Sequence, residues 1–333
     1  MAILSTLNPT MRDVTSRLDP DGKIADIAEV LGETNEIMDD MVVLEGNLPT
    51  GHKGTIRTGL PEGTFRAMYG YVQPNKSTTA QITDTCGNLE AFAEIDVDEA
   101  KLNGNEKSFR LSETTAFVQG ISQQMASTVF YGDETVNPER FTGFAPRYSN
   151  KTAENGQNIV LTSASSPDNA DNSSIWLVGW GRNRVHGIYP KGSMAGLQHE
   201  DLGIETKSNA QGGLMRVFRD HYKWELGLHV KDWRYIVRIQ YNDEDLVKDA
   251  ASGPDLIDLM TDAVDTLPDL GGRPAFYCNR RAKSYLSRQA RNSTTNSTLS
   301  REDYEQRKRV LMFDGIPVRR SDALLRTESG VTV

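Results

Sequence analysis

Residues Leu111 to Asp133, LSETTAFVQGISQQMASTVFYGD, carry a sustained helical period. Phe117, Ile121, Met125 and Val129 recur every four residues with Val118 beside them. At about 3.6 residues per turn they line one face of a helix of about five turns. Ser112 is placed to cap its start, with Glu113 in the first turn where the helix dipole favours an anion. Gly132 is the residue type for a left-handed exit. A helix with one apolar stripe needs a partner surface, so the remainder of the chain has to supply a sheet for it.

The clearest β signals follow it. Tyr222, Trp224, Leu226, Leu228 and Val230 alternate strictly, as do Trp233, Tyr235, Val237 and Ile239, with Lys231-Asp232 as the turn between them. Upstream, Ser174–Trp180 and Arg184–Pro190 read as two buried strands around Gly181-Arg182-Asn183, and Leu214–Arg219 as a further strand. Leu89 to Asp98 alternates apolar and acidic residues, the mark of a half-buried strand leading into the helix. Near the end, Asp314-Gly315 between Val310–Phe313 and Ile316–Arg320 is a strong hairpin signal. Pro254 precedes an amphipathic helix over Asp255–Val264, Pro274–Cys278 is a short strand, and Arg280–Arg288 a helix. The N-terminal residues 1–20 read as an arm, followed by a short helix near Ile24–Leu31 and a strand-length run Met41–Leu44. Polar loops are expected at 149–174 and 291–301. The class is α+β, without internal repeats.

One segment lacks what a strand pair needs. Residues 45–85 hold six glycines, three prolines and many threonines, with sparse apolar side chains. Lys53–Thr58 and Gly63–Tyr69 read as strands joined at Gly59–Glu62, yet neither can bury a face. Such a hairpin has to lean on a neighbour, in the fold or on another chain.

Length and charge bound the function. At 333 residues two domains are expected, and the net charge of -9 is uneven. Residues 1–100 carry 17 acidic and 7 basic side chains, whereas Arg273–Arg320 carries 12 basic and 4 acidic. These are either two solvated faces or an acidic arm that meets the basic region of another copy. The overall sign argues against general nucleic-acid affinity. No apolar run approaches about 18 residues, so no membrane span is expected. No secretory signal is read at the N-terminus. Cys86 and Cys278 are too few and too far apart for a disulfide framework, which suits a reducing cytoplasm.

Catalytic chemistry is missing. His52, His186, His199, His221 and His229 show no close metal-site spacing and read as ordinary polar or half-buried histidines. Gly179-Trp180-Gly181 lacks the third glycine of a dinucleotide loop, and no nucleophile elbow occurs. Asp96, Asp98 and Glu99 lack calcium-loop spacing. The Asn-X-Ser/Thr sites at Asn75, Asn150, Asn172, Asn292 and Asn296 read as markers of exposed loops. Neither a cofactor nor a metal, and no catalytic residue, is expected.

Taken in order, an arm, a weak projecting hairpin, a long helix, a sheet-bearing body and a closing hairpin resemble the major capsid proteins of tailed bacteriophages. That is the Hong Kong 97-type fold, here nearest to the short-tailed class typified by epsilon-fifteen. The segments that carry the resemblance are Gly51–Pro61, Leu111–Asp133, Phe141–Phe144, Trp224–Asn242 and Asp314–Val318. It implies an N-terminal arm over 1–42, an extended loop over 43–85, and a peripheral domain over 86–150 with its spine helix at 112–131. An axial domain over 151–304 and a peripheral return hairpin over 305–333 complete it. It also implies self-assembly into pentamers and hexamers of an icosahedral shell around double-stranded DNA, built in the host bacterial cytoplasm. The partners would be other copies, a portal protein, and a separate scaffolding or decoration protein, with no membrane. Lys53, Arg57, Arg66 and Lys76 become the candidate contacts between subunits, opposite acidic arms of adjacent copies. Two alternatives stay open: an encapsulin-like shell, and an enzyme or binding module on the 174–242 sheet where Trp176, Trp180, Trp224 and Trp233 gather.

Overall fold

Nine consecutive residues, Asn172–Trp180, form a strand buried along its whole length. The structure is a computed structural model and describes residues 35–101, 106–162, 171–208, 213–247, 254–292, 299–303 and 309–333. Its strands are β1 (Val43–Glu45), β2 (Gly51–Gly59), β3 (Thr78–Asp96), β4 (Ile159–Leu161), β5 (Asn172–Trp180), β6 (Val185–Tyr189) and β7 (Leu197–Ser208). The chain continues with β8 (Leu214–Val230), β9 (Ile236–Asn242), β10 (Arg273–Cys278), β11 (Leu299–Asp303), β12 (Arg309–Phe313) and β13 (Ile316–Arg320). The chain divides into two compact units, one containing Leu89–Gln124 and Gly196–Trp224, the other Thr34–Asn88, Met125–Ala195 and Glu225–Val333.

In the second unit β5 lies between antiparallel neighbours, β9 on one edge and β10 on the other. A strand covered on both faces favours apolar residues, as at Ile175, Trp176, Leu177 and Val178, while the buried hydroxyls of Ser173 and Ser174 before them are hydrogen-bonded. Ile175 and Leu177 face Val237, Ile239 and Phe276, together with Leu256, Met260 and Ala263 of helix Leu256–Thr266 and Tyr285 of helix Arg280–Asn292. Asp255 caps the first of these helices, its carboxylate accepting from the amides of Ile257 and Asp258. On the opposite face Trp176 meets Phe144 and Tyr148, with ring centroids 5.6 and 6.0 Å apart. Phe130, near the end of the long helix Glu106–Tyr131, continues that layer 6.0 Å from Phe144. β13 runs parallel to β10 and turns back into β12 through Asp314 and Gly315, both at positive φ. That is the signature of the tight Asp-Gly hairpin.

A buried ion pair ties the C-terminal residues to this sheet. Arg238 on β9 donates to Glu328 at 2.8 Å, to Ser174 Oγ at 2.9 Å and to the Tyr148 carbonyl at 2.8 Å. Tyr131 and Ser174 hydroxyls also donate to Glu328. Every oxygen of that carboxylate is therefore occupied.

The first unit is thinner. β7 and β8 form an antiparallel ribbon, with a register shift between Asp201 and Gly203. One small cluster joins Ile95, Val97, Ala100 and Phe218, with Phe109 against them, and another joins Ala93, Ile121 and Tyr222, with Phe117 against them. Around it, Arg110 pairs with Asp201 at 2.9 Å and Asp220 at 3.0 Å, and Arg219 pairs with Glu94 at 2.8 Å.

Several sequence expectations hold, and several are corrected. The stripe of the long helix is real: Ile121, Met125 and Val129 are buried and Phe117 is half-buried. Val118 faces solvent. The helix begins at Glu106, because Phe109 and Arg110 already contact the first unit's core, so Ser112 lies inside it and caps nothing. Gly132 does not take a left-handed exit. Its amide bonds the Thr128 carbonyl, and a Cβ there would come within 2.3 Å of the Phe141 carbonyl, so close approach is what requires glycine. Leu214–Arg219 and His221–Val230 are one strand, β8, whose partners are β6 and β7 rather than β9. β5 and β6 are buried, as expected, but pair only at Trp180 and Val185, in parallel, and form no hairpin. Trp233–Tyr235 is a single 3-10 turn before β9. Ile159–Leu161 within the expected 149–174 loop is β4, beside β9, and Leu299–Asp303 pairs with β12. Asn172 is buried on β5, so its glycosylation-type pattern marks no exposed loop. Both cysteines are free, and burial pushes both thiols up to about 12. Residues 1–34, with the expected arm and short helix, lie outside the described residues. No helix among the described residues is long and apolar enough to cross a membrane.

Removing one partner of a buried, fully bonded pair leaves the other uncompensated, at a cost of about 3–5 kcal/mol. Glu328→Ala is expected to lower the unfolding free energy of the dissociated subunit by about that amount in denaturant titrations. A loss below about 1 kcal/mol would contradict the role given to this pair.

Candidate subunit interface

β2 finds its partner in the first part of β3, and not in Gly63–Tyr69. The pairing runs from Gly51↔Thr85 to Gly59↔Thr78, with an irregularity between Arg57 and Gly59. Residues 60–77 form no strand, so the expected second strand of the hairpin is replaced by an open excursion. An isolated two-stranded hairpin is marginal in water, and among the described residues nothing packs on Phe65, Met68 or Tyr69 to hold this segment as a strand. The excursion is bounded by Thr58 and Thr78, whose hydroxyls lie 3.2 Å apart, and crossed by Asn75 donating to the Glu62 carbonyl at 2.9 Å.

What the sequence did not advertise is its apolar surface. Phe65, Met68, Tyr69 and Tyr71 are each at least 90% exposed, and Leu60 and Val72 are exposed beside them. Tyr69 also holds a φ of 65°, in the left-handed region that side chains avoid. Six large apolar side chains within one short segment form the kind of patch that marks an interaction surface. Lys53, Arg57, Arg66 and Lys76 are all exposed on the same ribbon and excursion, and none has an ion pair with another described residue. The structure therefore brings the four cations to one projection, next to an apolar surface that spacing rules had no reason to flag.

The base of the projection is polar and closed. Asp84, on β3 directly opposite His52 of β2, is buried. Its Oδ1 accepts from Arg147 at 2.8 Å, and its Oδ2 bonds His229 Nδ1 at 2.7 Å. Burial alone would raise this carboxyl, but the His229 hydrogen bond and the Arg147 charge outweigh it and hold Asp84 below its ordinary range. His229 on β8 sits opposite His186 on β6. The rings of His52, His186 and His229 thus meet, with centroids 4.6 to 6.0 Å apart. These three histidines, without close spacing in the sequence, are thus neighbours in the fold. Three strands far apart in sequence converge here, and only their registers reveal it.

The projection thus offers a surface of exposed apolar side chains flanked by cations. The family model described as "Major capsid protein GP7" matches residues 19–332. A chain in a cryo-EM structure of bacteriophage Epsilon15 is 32% identical over 100% of both chains, with a TM-score of 0.78. The capsid of bacteriophage JBD30 shares the fold at 9% identity, covering 89% of this chain and 93% of that one, with a TM-score of 0.50. The SrpI encapsulin of Synechococcus elongatus PCC 7942 covers 69% of this chain at 10% identity, and its TM-score of 0.38 is too low to bear on function. No curated protein sequence matches the chain significantly. The fold is thus that of the Hong Kong 97-type phage shell proteins. The chain belongs to the major capsid protein GP7 family and is a structural protein of the virion capsid.

The histidine cluster makes the loop base sensitive to acid. Burial first, then the proximity of His229 and His52 and the charge of Lys231, push His186 down to about 4, against a backbone hydrogen bond with Gly181 that raises it. The unfolded chain, titrating near pH 6.5, binds more protons in this window. The contribution is complete above about pH 6.5 and is lost as pH falls through about 4. The unfolding midpoint is expected to fall over that interval, and His186→Gln to flatten the slope. A wild-type profile flat between those values would contradict the assignment.

Proposed function

We propose that the subunit forms hexamers and pentamers that close an icosahedral shell around double-stranded DNA, and that the 43–85 loop reaches over a neighbouring copy. The observation that carries this reading is the unpartnered apolar surface at 60–77 on a ribbon with no core of its own. Magnitude ranks the contacts. Burying one such side chain is worth about 1.5–3 kcal/mol, whereas an exposed ion pair gives about 0–1. The apolar residues therefore hold the loop to its neighbour, and Lys53, Arg57, Arg66 and Lys76 set its direction and register.

The same reading assigns 1–42 to an arm, 86–150 to a peripheral domain with the spine helix, 151–304 to an axial domain and 305–333 to the peripheral return. A portal protein at one vertex, a scaffolding or decoration protein, and assembly in the host bacterial cytoplasm belong to it. DNA contact on the inner face would be without sequence preference, and the net charge of -9 argues against strong affinity.

Phe65→Ser combined with Tyr71→Ser is expected to leave the subunit's circular dichroism and unfolding midpoint unchanged, because both rings are in solvent. Closed shells in negative-stain micrographs should fall at least about tenfold, in line with two lost apolar contacts. Arg57→Glu should impair closure less. Wild-type shell yield from the double variant would overturn the reading.

A further inference from the structure

We propose that His52, His186 and His229 form a binding site for a divalent transition metal ion of the zinc class, located at the base of the extended loop. One ring nitrogen from each lies within 4.8 Å of the other two. The site is built by strand register, which is rigid: His186 faces His229 across β6 and β8, and His52 faces Asp84 across β2 and β3.

Each ring has a nitrogen that the protein leaves unused. His52 Nδ1, His186 Nδ1 and His229 Nε2 are buried without a hydrogen-bond partner among the described residues. A buried polar atom left unsatisfied costs about 1–3 kcal/mol, so three in one place call for a common partner. An ion that accepts lone pairs satisfies all three together. The opposite ring nitrogen of His229 is held by Asp84, and Asp84 by Arg147. A carboxylate that orients a histidine through its far nitrogen is the outer-shell arrangement of metal-ligating imidazoles.

Space and protonation agree with the geometry. A Cβ on Gly54 would sit 2.6 Å from His229 Nε2, so glycine on β2 keeps the volume beside that nitrogen free of a side chain. A tetrahedral ion with bonds of about 2.0–2.1 Å asks for ligand nitrogens about 3.4 Å apart, a modest inward swing of the rings. His52 and His186 are both held below their ordinary value by burial first and by neighbouring histidine second, which keeps their lone pairs available at neutral pH. Three imidazoles and no thiolate select zinc, copper or nickel over calcium or magnesium, and leave a fourth position for water. Bound there, the ion would tie β2 of the loop to β6 and β8 of the sheet. This holds for the folded subunit whether or not the loop's outer contacts are as proposed above.

The test uses tag-free, chelator-treated full-length protein, titrated with zinc chloride and, separately, cobalt chloride. Wild type is expected to retain about one zinc per subunit after dialysis and to give the intense visible absorption of tetrahedral cobalt(II). His52→Asn, at a half-buried position, should lose zinc binding at least about a hundredfold while keeping its circular dichroism. Asp84→Asn, which keeps all three ligands, should weaken it about 10–100-fold. Folded wild type that takes up no more zinc than His52→Asn, or weak octahedral cobalt bands, would overturn the site. Should a variant fail to fold, the wild-type stoichiometry and cobalt spectrum decide alone.

Discussion

A two-stranded ribbon has no inside, and everything distinctive about this subunit follows from placing one at its edge. β2 and the first part of β3 satisfy each other's backbone groups, but the large apolar residues they carry outward from Leu60 to Val72 are covered by nothing among the described residues. Leaving six large apolar side chains in water forgoes about 1.5–3 kcal/mol for each that another surface would bury. Marginally stable domains do not tolerate such exposure without a compensating contact. On the proposed reading, a shell supplies that contact, each copy's loop meeting another copy's surface.

The body of the second unit can hold such a projection because it spends none of its own core on it. β5 is saturated on both faces, by the two helices on one side and the Phe144–Tyr148 layer on the other. The loop is instead fastened by polar chemistry at its root, where Asp84, Arg147 and His229 form a bonded chain. Polar fastening is directional, so it fixes the angle at which the ribbon leaves the sheet. An apolar root would hold the ribbon as firmly but less specifically. Arg238 and Glu328 do the same for the C-terminal residues.

Periodicity made the long helix, β8, β9 and the Asp314-Gly315 hairpin legible, since each carries its own pattern of burial. It failed where a neighbour decides. The helix start moved from Ser112 to Glu106 because Phe109 and Arg110 are held by β8, a contact no local rule contains. Gly132 looked like a helix stop and is a point of close approach to Phe141. Lys53–Thr58 reads as a strand, but its partner lies about fifteen residues further along than a hairpin at Gly59–Glu62 would place it, because a weak strand's pairing is set by what lies beneath it. Of the candidate site, the cations were readable and the exposed apolar residues were not, since the sequence does not say which side of a glycine-rich segment faces water. The histidine cluster was unreadable for the same reason at longer range: His52, His186 and His229 are joined only by register.

The central claim is that the 60–77 excursion completes its burial on another copy, and amide hydrogen exchange in dissociated subunits and in intact shells tests it most directly. Amides across 60–77 should exchange rapidly in the subunit and become protected in the shell, while those of β5 and β9 stay equally protected in both. Protection of 60–77 in the dissociated subunit, or equally rapid exchange there in the shell, would contradict the account.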